Sequence, residues 1–274
     1  MNPLTAEGDV WLNGRLVPPD EATVALTATD IQAGLGVFET LAVRGGRVLD
    51  LGAHIDRLMR SAELLSVPLP EILSLHAAAR DAAARVDGGY GWLKISGLRS
   101  GRCAVWGGRM DPAEEGKPVC VVLLPWRKNP DEAIAGVKTL NYANQILGLE
   151  YARRRGADEG LWLNTRGHLA EGCTSNLFVV RHRTLFTPSV SDGILAGVVR
   201  SVILRAASSL RITLHEGKIR LKRLEEADEA FLTSSLRGVR PVVAFEGRPV
   251  GRGVVPGPLT RSLAEAAGGL RHTS

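Results

Sequence analysis

The feature that most constrains this chain is the alternation of tight glycine turns with apolar segments of helical period. Asp9–Val17 (DVWLNGRLV) reads as a β-hairpin turning on Asn13-Gly14, a pair that tolerates the positive φ values of a two-residue turn. Gly34–Val43 enters a strand, Arg44–Arg47 (RGGR) makes a second tight turn, and Val48–Leu51 follows. The period then changes. Across residues 53–66 the apolar positions are Ile55, Leu58, Met59, Ala62 and Leu65, which is helical spacing, and Pro68 is expected to end the helix. Residues 71–86 give a second, alanine-rich amphipathic helix, and Trp92–Ser96 a strand. Hairpins mixed with helices predict α+β or mixed α/β layers rather than a doubly wound parallel sheet.

Residues 107–119 (GGRMDPAEEGKPV) break the apolar pattern, Cys120–Leu124 is a continuous apolar strand, and Pro125–Glu132 is polar and proline-flanked. A domain boundary is therefore expected within 107–135. The division is a small N-terminal domain over 1–118, a linker region over 119–135 and a larger C-terminal domain over 136–274. The second half predicts helices over 142–155 and near 197–208. Its strands are expected at 160–164, 176–180 and 184–186, and near 212–216 and 229–233.

Composition excludes several classes. With 274 residues, 45% hydrophobic and 23% charged, the chain has ample material for a buried core. No apolar run approaches the roughly 20 residues of a membrane span. The opening MNPLTAEGDVW has neither the basic nor the apolar region of a secretory leader. The three cysteines, Cys103, Cys120 and Cys173, contain no CxxC pair, which argues against a disulfide framework or a zinc site. A cytoplasmic location is expected, with no metal and no membrane partner. The net charge of +5 comes from scattered arginines, and aromatics are few, so nucleic acid is not an expected partner either.

Lysine is scarce: Lys94, Lys117, Lys128, Lys138, Lys218 and Lys222 are the only six. Where a general cation suffices the chain uses Arg, so a retained Lys is a candidate for amine chemistry, which Arg cannot perform. Lys138 sits in GVKTLNYANQ, between a strand and a helix. Alone it would more often be a snorkelling surface residue. Its company changes that. In AEGCTSNLFVV, Glu171 precedes a polar run and a strand. A carboxylate there could keep a pyridine nitrogen protonated, making the ring an electron sink. In SDGILAGVVR, Gly193 and Gly197 lead into a helix whose first amides can cradle a phosphate. Thr233-Ser234-Ser235 places hydroxyls at a strand end. Arg57 lies at the edge of the apolar stripe of its helix, either paired with Asp56 or Ser61 or offering its fork to a phosphate.

Together these segments resemble the class IV aminotransferase family, the fold-type IV pyridoxal phosphate (PLP) enzymes. The likeness is carried by GLGVFETLAVRGGRVLDLGAHIDRLMRSAELL, KTLNYANQILGLEYARRRGADEGLWLN, GHLAEGCTSNLFVV, LFTPSVSDGILAGVVR and FLTSSLRGVRPV. It implies a two-domain fold like that of the D-amino-acid aminotransferases, with PLP as cofactor. Lys138 would be the Schiff-base lysine and the catalytic acid/base, and Glu171 the partner of the pyridine nitrogen. Arg57 would hold the phosphate with the amides of Val198 and Val199 and the hydroxyl of Ser235. Ser234 and Thr174 would add cofactor contacts, Leu195 would pack on the ring, and Tyr142 would lie near the ring hydroxyl. Phe38 stands where the D-amino-acid enzymes place a tyrosine. The family also implies a homodimer. Two departures are visible. Gly34-Leu35-Gly36 replaces a common G-D-G, and Cys173 stands where many members carry serine.

Two segments favour 4-amino-4-deoxychorismate lyase, which releases 4-aminobenzoate and pyruvate. SGLRSGRCAVWGG (96–108) resembles the R-G-S-G-G-R-G loop of those lyases, which makes Arg102, with neighbouring Arg99, a candidate for binding a substrate carboxylate. TSSLRGVRPV lacks the E-V-T-P run of transaminases and adds Arg237 and Arg240. In the mechanism this resemblance implies, Lys138 removes the proton from the amine-bearing ring carbon, and the enolpyruvyl group leaves. Transamination of a branched-chain amino acid, a D-amino acid or an amine begins with the same deprotonation. It is the alternative, and only residues on the substrate side separate the two. A non-catalytic PLP-binding protein is a third possibility, against which the Lys138–Glu171 pair argues.

Overall fold

The computed structural model describes residues 6–251, 253 and 255–271. The first residues of the stretch read above for a leader lie outside that range. The chain divides into two compact units. One holds the described residues through Pro112 together with Lys138–Asn141, and the other holds Ala113–Val137 and Tyr142–Arg271. The expected linker at 119–135 is thereby corrected. Residues 119–128 form a central strand, because the apolar run that begins at Val119 is buried between two parallel neighbours.

The first unit comprises β1 (Val10–Leu12), β2 (Arg15–Val17), α1 (Thr29–Ala33), β3 (Gly36–Arg44), β4 (Arg47–Val48), α2 (Leu51–Leu65), α3 (Ile72–Ala84), β5 (Tyr90–Leu98) and β6 (Cys103–Arg109). Its strands make one antiparallel sheet in the order β2-β1-β6-β5-β3-β4. Asn13 and Gly14 both take positive φ, as the hairpin requires. Helix α2 stops at Ser66, which adopts the left-handed conformation, before Pro68 can act. Alternation along β3 sends Val37, Leu41 and Val43 to the face covered by Leu51, Ile55 and Leu58 of α2 and Leu75, Ala78 and Ala79 of α3. The opposite face receives Phe38, Thr40 and Ala42.

The second unit comprises β7 (Val119–Lys128), α4 (Ala143–Arg154), β8 (Glu159–Asn164), β9 (His168–Gly172), β10 (Asn176–Arg181), β11 (Thr184–Pro188), α5 (Val198–Ser209), β12 (Leu214–Gly217), β13 (Ile219–Arg220), α6 (Leu221–Glu225), β14 (Glu229–Ser234), β15 (Gly238–Phe245), β16 (Arg248–Pro249) and α7 (Pro258–Leu270). Strands β10-β14-β15-β7-β8-β9 run side by side, and β9 pairs back onto β10 through Glu171 and Asn176. The path therefore closes on itself. Val119, Val121, Leu161, Leu163, Leu169, Leu177, Val179 and Leu232 form one buried cluster drawn from these strands, as the inward positions of a closed sheet do. Phe178, Val180 and Phe231, at the alternate positions, pack instead with α5 and α7. Phe178 and Phe231 face each other in register and stack at 4.9 Å between ring centroids.

Both phenylalanines are fully buried. Phe178→Ala should therefore cost about 3–5 kcal/mol, read as a lowered urea midpoint for unfolding.

Candidate active site

In the first unit, Lys138 is held by backbone. The Phe38 amide donates to the Lys138 carbonyl (3.1 Å), Val37 bridges Thr139, and the Leu140 amide donates to Gly36 (2.9 Å). Asn141 Nδ2 donates to the Gly34 carbonyl (3.0 Å), and Gly34 is left-handed at φ 62°. A side chain at Gly34 would overlap the Asn141 amide, so this position requires glycine. The Lys138 amine lies 4.3 Å from the centroid of the Phe38 ring.

A second amine meets the same ring. Lys94 Nζ lies 4.8 Å from the Phe38 centroid and 5.5 Å from that of Trp106. In register Lys94 stands opposite Thr40 on one side and Trp106 on the other, which puts it on the sheet face away from α2 and α3. Burial lowers its pKa. Sequence reasoning missed Lys94 although it is one of the six lysines. The signal was a lone cation between Leu93 and Ile95 on a strand.

Arg57 is placed differently. It is buried, and its partner is neither Asp56 nor Ser61. Its Nε and Nη2 both donate to the Glu39 carboxylate at 2.7 Å, and His54 Nδ1 meets Glu39 Oε2 at 2.7 Å. Strand alternation puts Glu39 on the helix-covered face of β3, with Val37 and Leu41, and Phe38 on the other. Arg99 and Arg102 are exposed in the β5–β6 turn. Arg102 donates to the Thr23 carbonyl, and the Arg99 amide to Leu35 (3.0 Å). The turn is further fixed by the Ser100 amide on Asp30 (3.0 Å) and by Asn13 Nδ2 on the Gly101 carbonyl (3.0 Å).

In the second unit the buried Glu171 is the hub. Its Oε1 accepts from Lys128 Nζ, and its Oε2 accepts from the Leu195 amide (2.9 Å) and Asn176 Nδ2 (3.3 Å). Asn176 Nδ2 also donates to the Leu195 carbonyl (2.8 Å). Leu195 thus meets Glu171 through its backbone. Gly197 then begins α5. A side chain there would collide with Asn176 Oδ1, and no side chain caps the helix. The first-turn amides of Val198 and Val199 have no carbonyl within the helix to bond. In Thr233-Ser234-Ser235, at the end of β14, Thr233 Oγ1 is buried without a hydrogen-bond partner. An uncapped helix start and an orphaned hydroxyl suit an anion, and an anchored carboxylate suits a cationic ring nitrogen.

Other expected contacts have different partners. Thr174 turns its hydroxyl (2.9 Å) and amide (3.2 Å) to buried Glu159. Burial raises the Glu159 pKa, with Thr174 acting against it. Arg237 pairs with Glu114 (3.4 Å), and Arg240 is buried with its Nε on the Lys117 carbonyl (3.0 Å). Tyr142 is half-buried at the start of α4. Cys173 packs with Leu124, Leu149 and Trp162, an apolar setting that suits a thiol.

Glu39 generates a test of stability. Burial alone would raise its pKa, but the Arg57 guanidinium and His54 overcome burial and hold the carboxyl well below the usual range. A lowered carboxylate pKa stabilises the fold above the unfolded value of about 4 and loses that contribution as pH falls. Glu39→Gln should cost about 3–5 kcal/mol at neutral pH and flatten the acid limb of stability, measured by urea unfolding at a series of pH values.

With this geometry in view, comparison with known proteins is decisive. The amino-transferase class IV family profile matches residues 36–245. The branched-chain-amino-acid aminotransferase of Pseudomonas aeruginosa is 30% identical, covering 95% of this chain and 92% of that protein. The PLP-form structure of the branched-chain amino acid aminotransferase of Thermobaculum terrenum superposes with a TM-score of 0.86 at 25% identity, covering 97% of this chain and 94% of that one. A Legionella pneumophila structure, provisionally named 4-amino-4-deoxychorismate lyase, has a TM-score of 0.83 at 24% identity and covers 91% and 97%. That last likeness is one of fold alone. The chain belongs to the class IV aminotransferases.

Proposed function

We propose that this chain is a PLP-dependent lyase that converts 4-amino-4-deoxychorismate to 4-aminobenzoate and pyruvate. The observation that carries the proposal is the pair of amines on the Phe38 ring. One amine is needed for covalent and proton-transfer chemistry. A second, fixed by two aromatic rings, is a site for an anionic substrate group. The substrate of such a lyase carries two carboxylates. Arg102 and Arg99, in a turn tied down at Ser100 and Gly101, are proposed for the other carboxylate.

The cofactor follows from family membership and suits the residues present. When bound, PLP supplies an electron-withdrawing ring that stabilises negative charge at the substrate carbon bearing the amine. Lys138 would hold PLP through its side-chain amine, and that amine, when free, would take the proton from the substrate carbon. The C–O bond to the enolpyruvyl group then breaks, the departing enol takes a proton to become pyruvate, and the ring aromatises. Glu171 is proposed to face the pyridine nitrogen. The amides of Val198 and Val199, the hydroxyls of Ser234 and Ser235 and the Arg57 guanidinium, oriented by Glu39, are proposed for the phosphate. Tyr142 is proposed for the ring hydroxyl, and Leu195 for one face of the ring. Self-association as a homodimer belongs to the same proposal.

Aminotransfer to an oxo acid is the second reading, favoured by the Pseudomonas aeruginosa relative. It would begin with the same proton removal by Lys138, with the amino group then passing to the oxo acid. Among the described residues no helix is long and apolar enough to cross a membrane.

Supplying 4-amino-4-deoxychorismate should yield 4-aminobenzoate and pyruvate in equal amounts. Amino donors with 2-oxoglutarate yielding glutamate, and no 4-aminobenzoate, would establish aminotransfer instead. Borohydride should fix the cofactor mass to the Lys138 peptide, and Lys138→Ala should lose at least about 10²–10⁴-fold in kcat. Lys94→Met should raise KM about 10–100-fold, the worth of one charged hydrogen bond, with little change in kcat. Because burial lowers the Lys94 pKa, wild-type KM should rise on the alkaline side as this amine loses its charge, and K94M should lack that rise.

A further inference from the structure

Lys128 is the last residue of β7, opposite Asn164 of β8 in the parallel register. Its side chain is 19% exposed and that of Glu171 only 10%. A lysine this deep next to a carboxylate is not a solvated surface pair, so its charge is felt with little screening. The Glu171 carboxylate is held at three points. Lys128 takes Oε1, while the Leu195 amide and Asn176 share Oε2. The two neutral donors orient the group, and Lys128 brings a charge to it. Cys173 also lies in electrostatic reach of Glu171, and its thiol is pushed up by burial first and by Glu159 second. It is therefore neutral at working pH and does not compete.

We propose that Lys128 is a positioning residue that sets the strength of the electron sink by sharing the charge of Glu171 with the pyridine nitrogen. This rests on the PLP reading above and names a residue of this chain that acts on the cofactor through Glu171. Before the cofactor arrives, Lys128 gives a buried carboxylate the partner that burial demands. With the cofactor in place, the ammonium stays on Oε1 and offsets part of the negative charge that would otherwise hold the ring proton. The ring nitrogen is then held less firmly protonated than an unshared glutamate would hold it.

The test uses the intact protein loaded with PLP labelled with 15N at the pyridine nitrogen, whose chemical shift reports protonation directly. The expected result is that Lys128→Met raises the pH at which the nitrogen loses its proton by about 1–3 units, the effect of removing one nearby charge. Lys128→Gln keeps a donor for Oε1 but no charge, so it must reproduce that shift, even if the methionine variant gives no folded protein. Lys128→Arg keeps the charge and should stay near wild type. An unchanged midpoint in the glutamine variant, or equal shifts in the arginine and glutamine variants, overturns the proposal while leaving the cofactor assignment intact. A wild-type protein that takes up no PLP overturns both.

Discussion

The second unit depends on one junction, the meeting of β9 and β10 at Glu171 and Asn176. A sheet whose last strand returns to its neighbourhood has no open edge along that path. Closure also gathers chemistry. The strand end that carries Glu171 is brought to Asn176, and Asn176 in turn reaches the Leu195 carbonyl. The chain then passes through Gly197, where only a glycine clears the Asn176 side chain, and enters α5 with its first amides uncapped. A carboxylate and a helix start are thus fixed relative to each other by two side chains and one missing side chain.

The first unit achieves order by a division between faces. On one face of β3, Glu39 binds Arg57 and His54 beneath two helices. Three polar side chains are buried there, and each is answered by a charged or hydrogen-bonding partner, which makes the burial affordable. On the other face the sheet presents Phe38, Lys94 and Trp106, and the Lys138 amine joins them. The period-two geometry of the strand sends the side chains of adjacent Phe38 and Glu39 to opposite faces.

Much of this was legible in the sequence wherever the signal was local. The Asn13-Gly14 turn and the Ile55, Leu58, Met59, Ala62 stripe lie in β1–β2 and α2 as read. Strand β6 (CAVWGGR) escaped because two glycines and a polar end mask its alternation. Strand β9 (HLAEG) is short, and β15 carries Pro241 in its interior, which argues against a strand until its neighbours are known. Helix α7 ends in Gly268-Gly269-Leu270, poor helix formers rescued by packing against α5. At the site, Lys138 and Glu171 stood out by motif. Lys94, Lys128 and Glu39 did not, because each matters through a partner far along the chain. Arg57 was visible, but its partner lies eighteen residues away on a strand, which no helix-period rule reveals.

The return of Lys138–Asn141 to the first unit has a consequence for synthesis. As the chain leaves the ribosome, residues through Pro112 contain the strands of the first sheet and the two helices that cover it, and they can begin to pack as a unit. The backbone bonds from Phe38 to Lys138 and from Leu140 to Gly36 must wait for about 30 more residues. Those residues include β7, which belongs to a sheet whose other strands have yet to be made. The nascent chain therefore gains Lys138 late, on a segment that docks onto structure already in place.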